Sequence, residues 1–179
     1  MSGQLEKNSP REKRVLLISG TTGAAMLALD LLTKLWVVRC FELYESRELI
    51  PGLLAFTSVR NYGAAWSILS GYGWLLLFFA VAVAIALCIF FRKIAEGWSE
   101  RYFALMLLFA GIIGNSADRF MRGAVVDFIH VHWHNVWHYP VFNVADIAIC
   151  TGVGLFVLSN LLRKKPEDKD KVNPVAGEK

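Results

Sequence analysis

Cysteine is scarce and poorly placed for a cross-linked scaffold. The 179 residues hold three cysteines, Cys40, Cys88 and Cys150, an odd number at wide spacing with no CxxC pair. That excludes a disulfide framework. Charge is thin as well. Asp, Glu, Lys and Arg make up 19% of the chain, against about 25% in ordinary soluble domains. Apolar residues fill the difference: 55% of the chain is hydrophobic, 13% is aromatic, and the mean hydropathy is +0.44. This excludes disorder for the bulk of the chain, because disorder needs low hydrophobicity. The composition points to a membrane protein. In that class the net charge of +4 belongs to cytoplasmic loops rather than to a nucleic-acid surface.

Four long apolar runs stand out: Val15 to Val38, Gly71 to Phe91, Tyr102 to Asn115 with an interrupted extension to Met121, and Phe142 to Leu162. Each is near the roughly 20 residues that a helix needs to cross the hydrocarbon. None alternates as a membrane β-strand must. Lysine and arginine set the expected orientation. Thirteen lie before the first run, between the second and third, or after the fourth, and five lie in the two other connections. The positive-inside rule then puts both termini in the cytoplasm and residues ~39–70 and ~120–141 outside. The first run could also be read as a cleavable signal peptide, with a basic start and small residues at Ala24, Ala25 and Ala28. The four-span reading is preferred. It divides the chain into a basic N-terminus (1–14), a membrane domain (15–162) and a charged, disordered tail (163–179).

The outer connections carry pattern of their own. Residues 48–60 surround Pro51-Gly52 with β-branched and aromatic residues and predict short strands. The stretch Phe128 to Tyr139 mixes histidine with Trp133, Trp137 and Tyr139, rings that suit the headgroup level. His130, His132 and His134 alternate, so a strand would put three imidazoles on one face, a possible arrangement for a metal site. No cysteine or carboxylate stands at a familiar ligand spacing beside them, and an interfacial strand is the preferred reading. Ser67 and Ser116 lack the neighbours of a catalytic triad.

Polar residues inside apolar runs are costly and therefore informative. Asp30 and Lys34 are four apart in the first run, on one helix face, and read as a structural ion pair. Asn115, Asp118 and Arg119 share a face at the end of the third run. Asn143 and Asp146 share a face at the start of the fourth, beside Ala145. Asp127 interrupts Val125-Val126-Asp127-Phe128-Ile129 with no cation within four residues. By the expected topology all of these reach one membrane depth. Two carboxyls brought close there would share a proton, the arrangement of an aspartic protease. The same buried acids could also serve a small proton-coupled transporter or channel subunit. No internal repeat of the kind transporters carry is evident.

Five motifs together resemble the bacterial lipoprotein signal peptidase (signal peptidase II) family. They are Asp30-Leu-Leu-Thr33-Lys34, Arg60-Asn61-Tyr62-Gly63-Ala64-Ala65-Trp66-Ser67, Gly111-Ile-Ile-Gly114-Asn115-Ser-Ala-Asp118-Arg119, Val125-Val126-Asp127-Phe128, and Phe142-Asn143-Val-Ala145-Asp146. They occur in the family's order across residues 15–162. Ala110 is a small departure, standing where the family pattern suggests glycine.

The resemblance implies an all-α membrane protein. Four transmembrane helices would carry a small extracytoplasmic β-cradle and an amphipathic helix. It implies an aspartyl endopeptidase of the bacterial inner membrane that cleaves a prolipoprotein just before its diacylglyceryl cysteine. Asp127 and Asp146 match the catalytic pair, with Asp118 the alternative to Asp127. The adjacent Arg119 is expected to hold Asp118 ionised. Asp30, Lys34, Asn61, Asn115, Arg119 and Asn143 match supporting polar positions, and Gly111 and Ala145 match positions that keep room at the site. No metal or organic cofactor is expected. The expected partners are the lipidated substrate and membrane lipid, with no nucleic acid, and a monomer is expected.

Overall fold

The computed structural model describes residues 4–63, 68–134 and 136–163. Its elements run α1 (Pro10–Cys40), β1 (Ser46–Ile50), β2 (Leu54–Asn61), α2 (Gly73–Ala95), α3 (Ser99–Arg122), β3 (Val125–Trp133), β4 (Trp137–His138) and α4 (Val144–Leu162). All four helices are long and apolar enough to cross a membrane. The helices cover the four apolar runs, and local capping chemistry moves their ends. α1 starts at Pro10 because the Ser9 hydroxyl accepts the Glu12 N–H at 3.1 Å and the Glu12 carboxylate accepts the Asn8 N–H at 2.5 Å. α3 continues unbroken through Asn115, Asp118 and Arg119 to Arg122. Gly123 ends it in the left-handed conformation, φ 73°, with its N–H donating to the Arg119 carbonyl.

The packing is polar inside and apolar outside. Ser19, Asp30, Lys34, Arg101, Asn115, Ser116, Asp118 and Ser159 are buried, while Leu17, Leu32, Trp74, Phe78, Ile89 and Leu161 are exposed on the helices. A bilayer removes the penalty for the second set and makes it severe for the first. α3 is the central helix and packs against α1, α2 and α4. At the end holding the start of α1, Tyr102 Oη donates to Glu12 Oε1 at 2.6 Å. Nearby, Arg101 donates to Ser159 Oγ at 3.1 Å and to Asn160 Oδ1 at 2.9 Å. These bonds tie α1, α3 and α4 together far from the acids of interest.

The expected strands form one antiparallel sheet in the order β1-β2-β3-β4. A bulge in β2 between Phe56 and Val59 sets Val59 opposite Asp127 and Asn61 opposite Val125. Val126 and Phe128 of β3 bury themselves with Val37 and Phe41 at the end of α1 and Val144 at the start of α4. The sheet is thereby seated on the helix ends. No helix beyond these four occurs among the described residues, so the implied amphipathic helix is not found there. Ala64 to Ser67 and the tail beyond Arg163 lie outside the described residues.

Candidate active site

α4 begins with a capping box. Asn143 Oδ1 accepts the Asp146 N–H at 3.0 Å, and Asp146 Oδ2 accepts the Asn143 N–H at 3.1 Å. This local motif fixes both side chains at the mouth of the bundle. The other Asp146 oxygen, Oδ1, accepts from Asn115 Nδ2 of α3 at 2.8 Å.

Asp127 faces the same place from β3. Its Oδ1 accepts from Asn143 Nδ2 at 2.6 Å, and its Oδ2 accepts from Asn61 Nδ2 of β2 at 3.0 Å. Asn143 Nδ2 also donates to Asn115 Oδ1 at 3.1 Å. Two asparagines thus bridge the two carboxyls, which come from segments distant in sequence. Burial pushes the Asp127 carboxyl up to about 7, and the nearby Asp146 charge pushes it the same way. The Asn61 and Asn143 amides and the Lys34 ammonium oppose that rise without cancelling it.

The remaining residues support this pair. Lys34 Nζ lies 2.9 Å from Asp30 Oδ2, 3.2 Å from Asp118 Oδ2 and 2.9 Å from Asn115 Oδ1. The expected Asp30–Lys34 ion pair is therefore present, and it extends to α3. Asp30 Oδ1 accepts the Ala145 N–H at 2.8 Å, which helps to anchor the first turn of α4. Close approach depends on glycine. A Cβ on Gly111 would collide with the Ala145 carbonyl and with Ile149, and one on Gly114 would collide with the Asp30 carboxylate.

Asp118 serves the scaffold, but its cation differs from the expected one. Arg122 donates to Asp118 Oδ1 at 2.6 Å, one turn further along α3, and Val126 N–H donates to Oδ2 at 3.0 Å. The adjacent Arg119 makes neither contact, since residues adjacent in a helix point in directions about 100° apart. Arg119 instead donates to the Gly63 carbonyl at 3.0 Å and the Asn115 carbonyl at 3.4 Å. Its Nε is buried with no hydrogen-bond partner among the described residues, within electrostatic reach of Asp127 and Asp146. All eleven residues singled out from sequence therefore lie in or against one cluster. Sequence reasoning missed Arg122, although its i, i+4 spacing from Asp118 was a usable signal.

The family model described as "Signal peptidase (SPase) II" matches residues 22–162. The chain belongs to the signal peptidase II family. The lipoprotein signal peptidase of Pasteurella multocida (strain Pm70) is 44% identical over 151 residues, covering 82% of this chain and 90% of that one. The lipoprotein signal peptidase of Geobacter metallireducens (strain ATCC 53774 / DSM 7210 / GS-15) is 40% identical over 150 residues, 82% of this chain and 92% of its own. A bacterial membrane enzyme structure obtained by the in meso method at 2.3 Å superposes with a TM-score of 0.75 at 35% identity. It covers 89% of this chain and 94% of that chain. A second such structure, at 1.9 Å, gives a TM-score of 0.72 at 37% identity, covering 82% and 94%. Signal peptidase II thus supplies the family context for four spanning helices, an antiparallel sheet and buried acids at their junction.

The Lys34 contacts generate a stability prediction. Lys34→Met leaves two carboxylates buried without their shared cation, a change that costs about 3–5 kcal/mol in buried pairs. Thermal unfolding in detergent should shift down by about 10 °C. An unchanged midpoint would show that the ammonium does not hold the cluster.

Proposed function

We propose that the chain is a multi-pass inner-membrane aspartyl endopeptidase whose catalytic pair is Asp127 and Asp146. Its substrate is a prolipoprotein carrying a diacylglyceryl cysteine, and it cleaves the bond just before that cysteine. The observation that carries this reading is the asparagine bridge: Asn143 Nδ2 donates to Asp127 while the Asn143 backbone N–H donates to Asp146. Two carboxyls held this way, one with its proton affinity raised by burial and by the other, suit a shared-proton dyad.

Ionised Asp146 takes a proton from a water molecule as the water oxygen bonds to the scissile carbonyl carbon. Protonated Asp127 hydrogen-bonds the carbonyl oxygen and passes its proton to it, forming a neutral tetrahedral diol. Collapse of the diol returns a proton to Asp127 as the C–N bond breaks. The proton taken up by Asp146 goes to the leaving amine. The Arg119 Nε–H, unpartnered among the described residues, supplies a donor for a substrate carbonyl near the acids. The acyl chains of the cysteine stay in the bilayer beside the apolar helix faces. No step calls for a metal or an organic cofactor, and a monomer holds every residue the scheme uses.

The asymmetry of lysine and arginine supports cytoplasmic termini and an outward-facing site, with residues 1–14 and 163–179 as cytoplasmic ends. Cys40, exposed at the end of α1, then lies outside. A membrane-impermeant maleimide should label Cys40 in intact spheroplasts. Labelling only after lysis would reverse the orientation.

Asp127→Asn and Asp146→Asn should each lower cleavage of a lipidated precursor by about 10²–10⁴-fold or more, with folding and insertion retained. Asp118→Asn should instead lower thermal stability while the folded fraction still cleaves. Normal processing by either of the first two variants removes the dyad assignment. The pH dependence has a definite sign, because the acid must hold its proton and that proton is lost as pH rises. The rate should therefore be present below about 7 and fall above it. A rate still rising well above pH 8 contradicts this scheme.

A further inference from the structure

The histidines of β3 take no part in the proteolytic scheme. His130 and His132 are two apart on β3, beyond an irregularity at which Phe128 and Ile129 both donate to the Phe142 carbonyl, and they share a face of the strand. Tertiary structure then adds two groups that β3 alone does not supply. β4 pairs His138 directly with His132, and the β1 residue Glu48 reaches the same patch. The ring centroids of His130, His132 and His138 form a near-equilateral triangle with sides of 5.0, 5.3 and 5.7 Å.

The nitrogen positions are more informative than the rings. His130 Nε2 and His138 Nδ1 face each other at 3.2 Å. Two imidazole nitrogens on a tetrahedral ion at about 2.0–2.1 Å stand about 3.3–3.4 Å apart, so this pair already has nearly the required separation. The Nδ1 atoms of His130 and His132 have orienting oxygens. His130 Nδ1 lies 3.3 Å from Thr57 Oγ1, and His132 Nδ1 lies 3.2 Å from the His134 carbonyl. Partners of this kind fix the tautomer and leave Nε2 for a metal. His132 Nε2 faces Glu48 Oε1 at 3.5 Å. His134 contributes its backbone carbonyl, while its ring lies edge-on to Trp133.

We propose that His130, His132, His138 and Glu48 bind a divalent transition-metal ion of the zinc class on the sheet, further along β3 than the catalytic Asp127. Three imidazoles and one carboxylate suit that class in number and donor type. Among the described residues no three such side chains yet surround one point, and the rings lie stacked. Closing the set takes rotation of His132 and Glu48 about their side-chain bonds. Glu48 is half exposed and moves without disturbing the core, while His132 is buried and turns within its packing. The bound ion replaces the proton now shared between His130 and His138, and it ties β1 to β3 and β4.

The test uses untagged full-length protein in detergent, with its three cysteines alkylated beforehand so that thiols cannot bind the ion. Calorimetric titration with Zn²⁺ should show one equivalent per chain. Co²⁺ should give the intense visible bands of a tetrahedral site. His130→Ala and His138→Ala should each weaken binding at least about 10-fold, Glu48→Gln should weaken it less, and His134→Ala should leave it unchanged. His138→Ala, at an exposed position, keeps the test valid should His130→Ala fail to fold. Absence of saturable binding overturns the proposal. So does equal affinity in wild type and His138→Ala.

Discussion

The Lys34 ammonium gathers charges and amides from two helices that would otherwise repel or stand unsatisfied. It touches Asp30 within α1, and Asp118 and Asn115 on α3. Through Asp30 the same cluster reaches the Ala145 N–H at the start of α4. Bare carboxylates at this depth would carry a large desolvation penalty. Their convergence on one cation, with the Ala145 and Val126 N–H groups and Arg122 donating to them as well, makes the cluster tolerable. It also sets the relative depth of the three helices, since each contact has one geometry.

That register leads directly to the chemistry. With α3 and α4 drawn close at Gly111 and Ala145, Asn115 can reach across to Asp146. The cap of α4 then presents Asn143 to β3, where Asp127 accepts its amide. Asp127 itself is fixed by strand pairing and by the apolar cluster of Val37, Phe41, Val126, Phe128 and Val144 beneath the sheet. A cation-centred anchor on one side and an apolar seat on the other hold the two acids. The buried strand setting raises the proton affinity of Asp127, and the charge of Asp146 beside it adds to the rise.

The sheet carries two kinds of chemistry at two places along β3. Where the strand begins, Asp127 meets Asn61 and the cap of α4. Further along, histidines from β3 and β4 gather beside Glu48 of β1 and Thr57 of β2.

Much of this was legible in the sequence. Hydrocarbon demands apolar runs of a set length, so Val15 to Val38 and its counterparts declared the helices. Charges are costly in such runs, so Asp30, Lys34, Asn115, Asp146 and their neighbours marked the site, and the five motifs pointed to the family. Strand character at residues 48–60 was visible because alternation and a Pro-Gly turn are local features. Pairings across long separations were not visible. Spacing along the chain offered Asp118 the cation next to it, whereas helix geometry gave it Arg122 and Lys34. Spacing likewise grouped His134 with His130 and His132, whereas strand pairing substituted His138 and brought in Glu48. Sequence determined which residues had to leave the lipid, because transfer cost belongs to each side chain by itself. Only the tertiary structure decided which partner each one found, because partnership depends on helix rotation and strand register, and those are set by the packing of the whole chain.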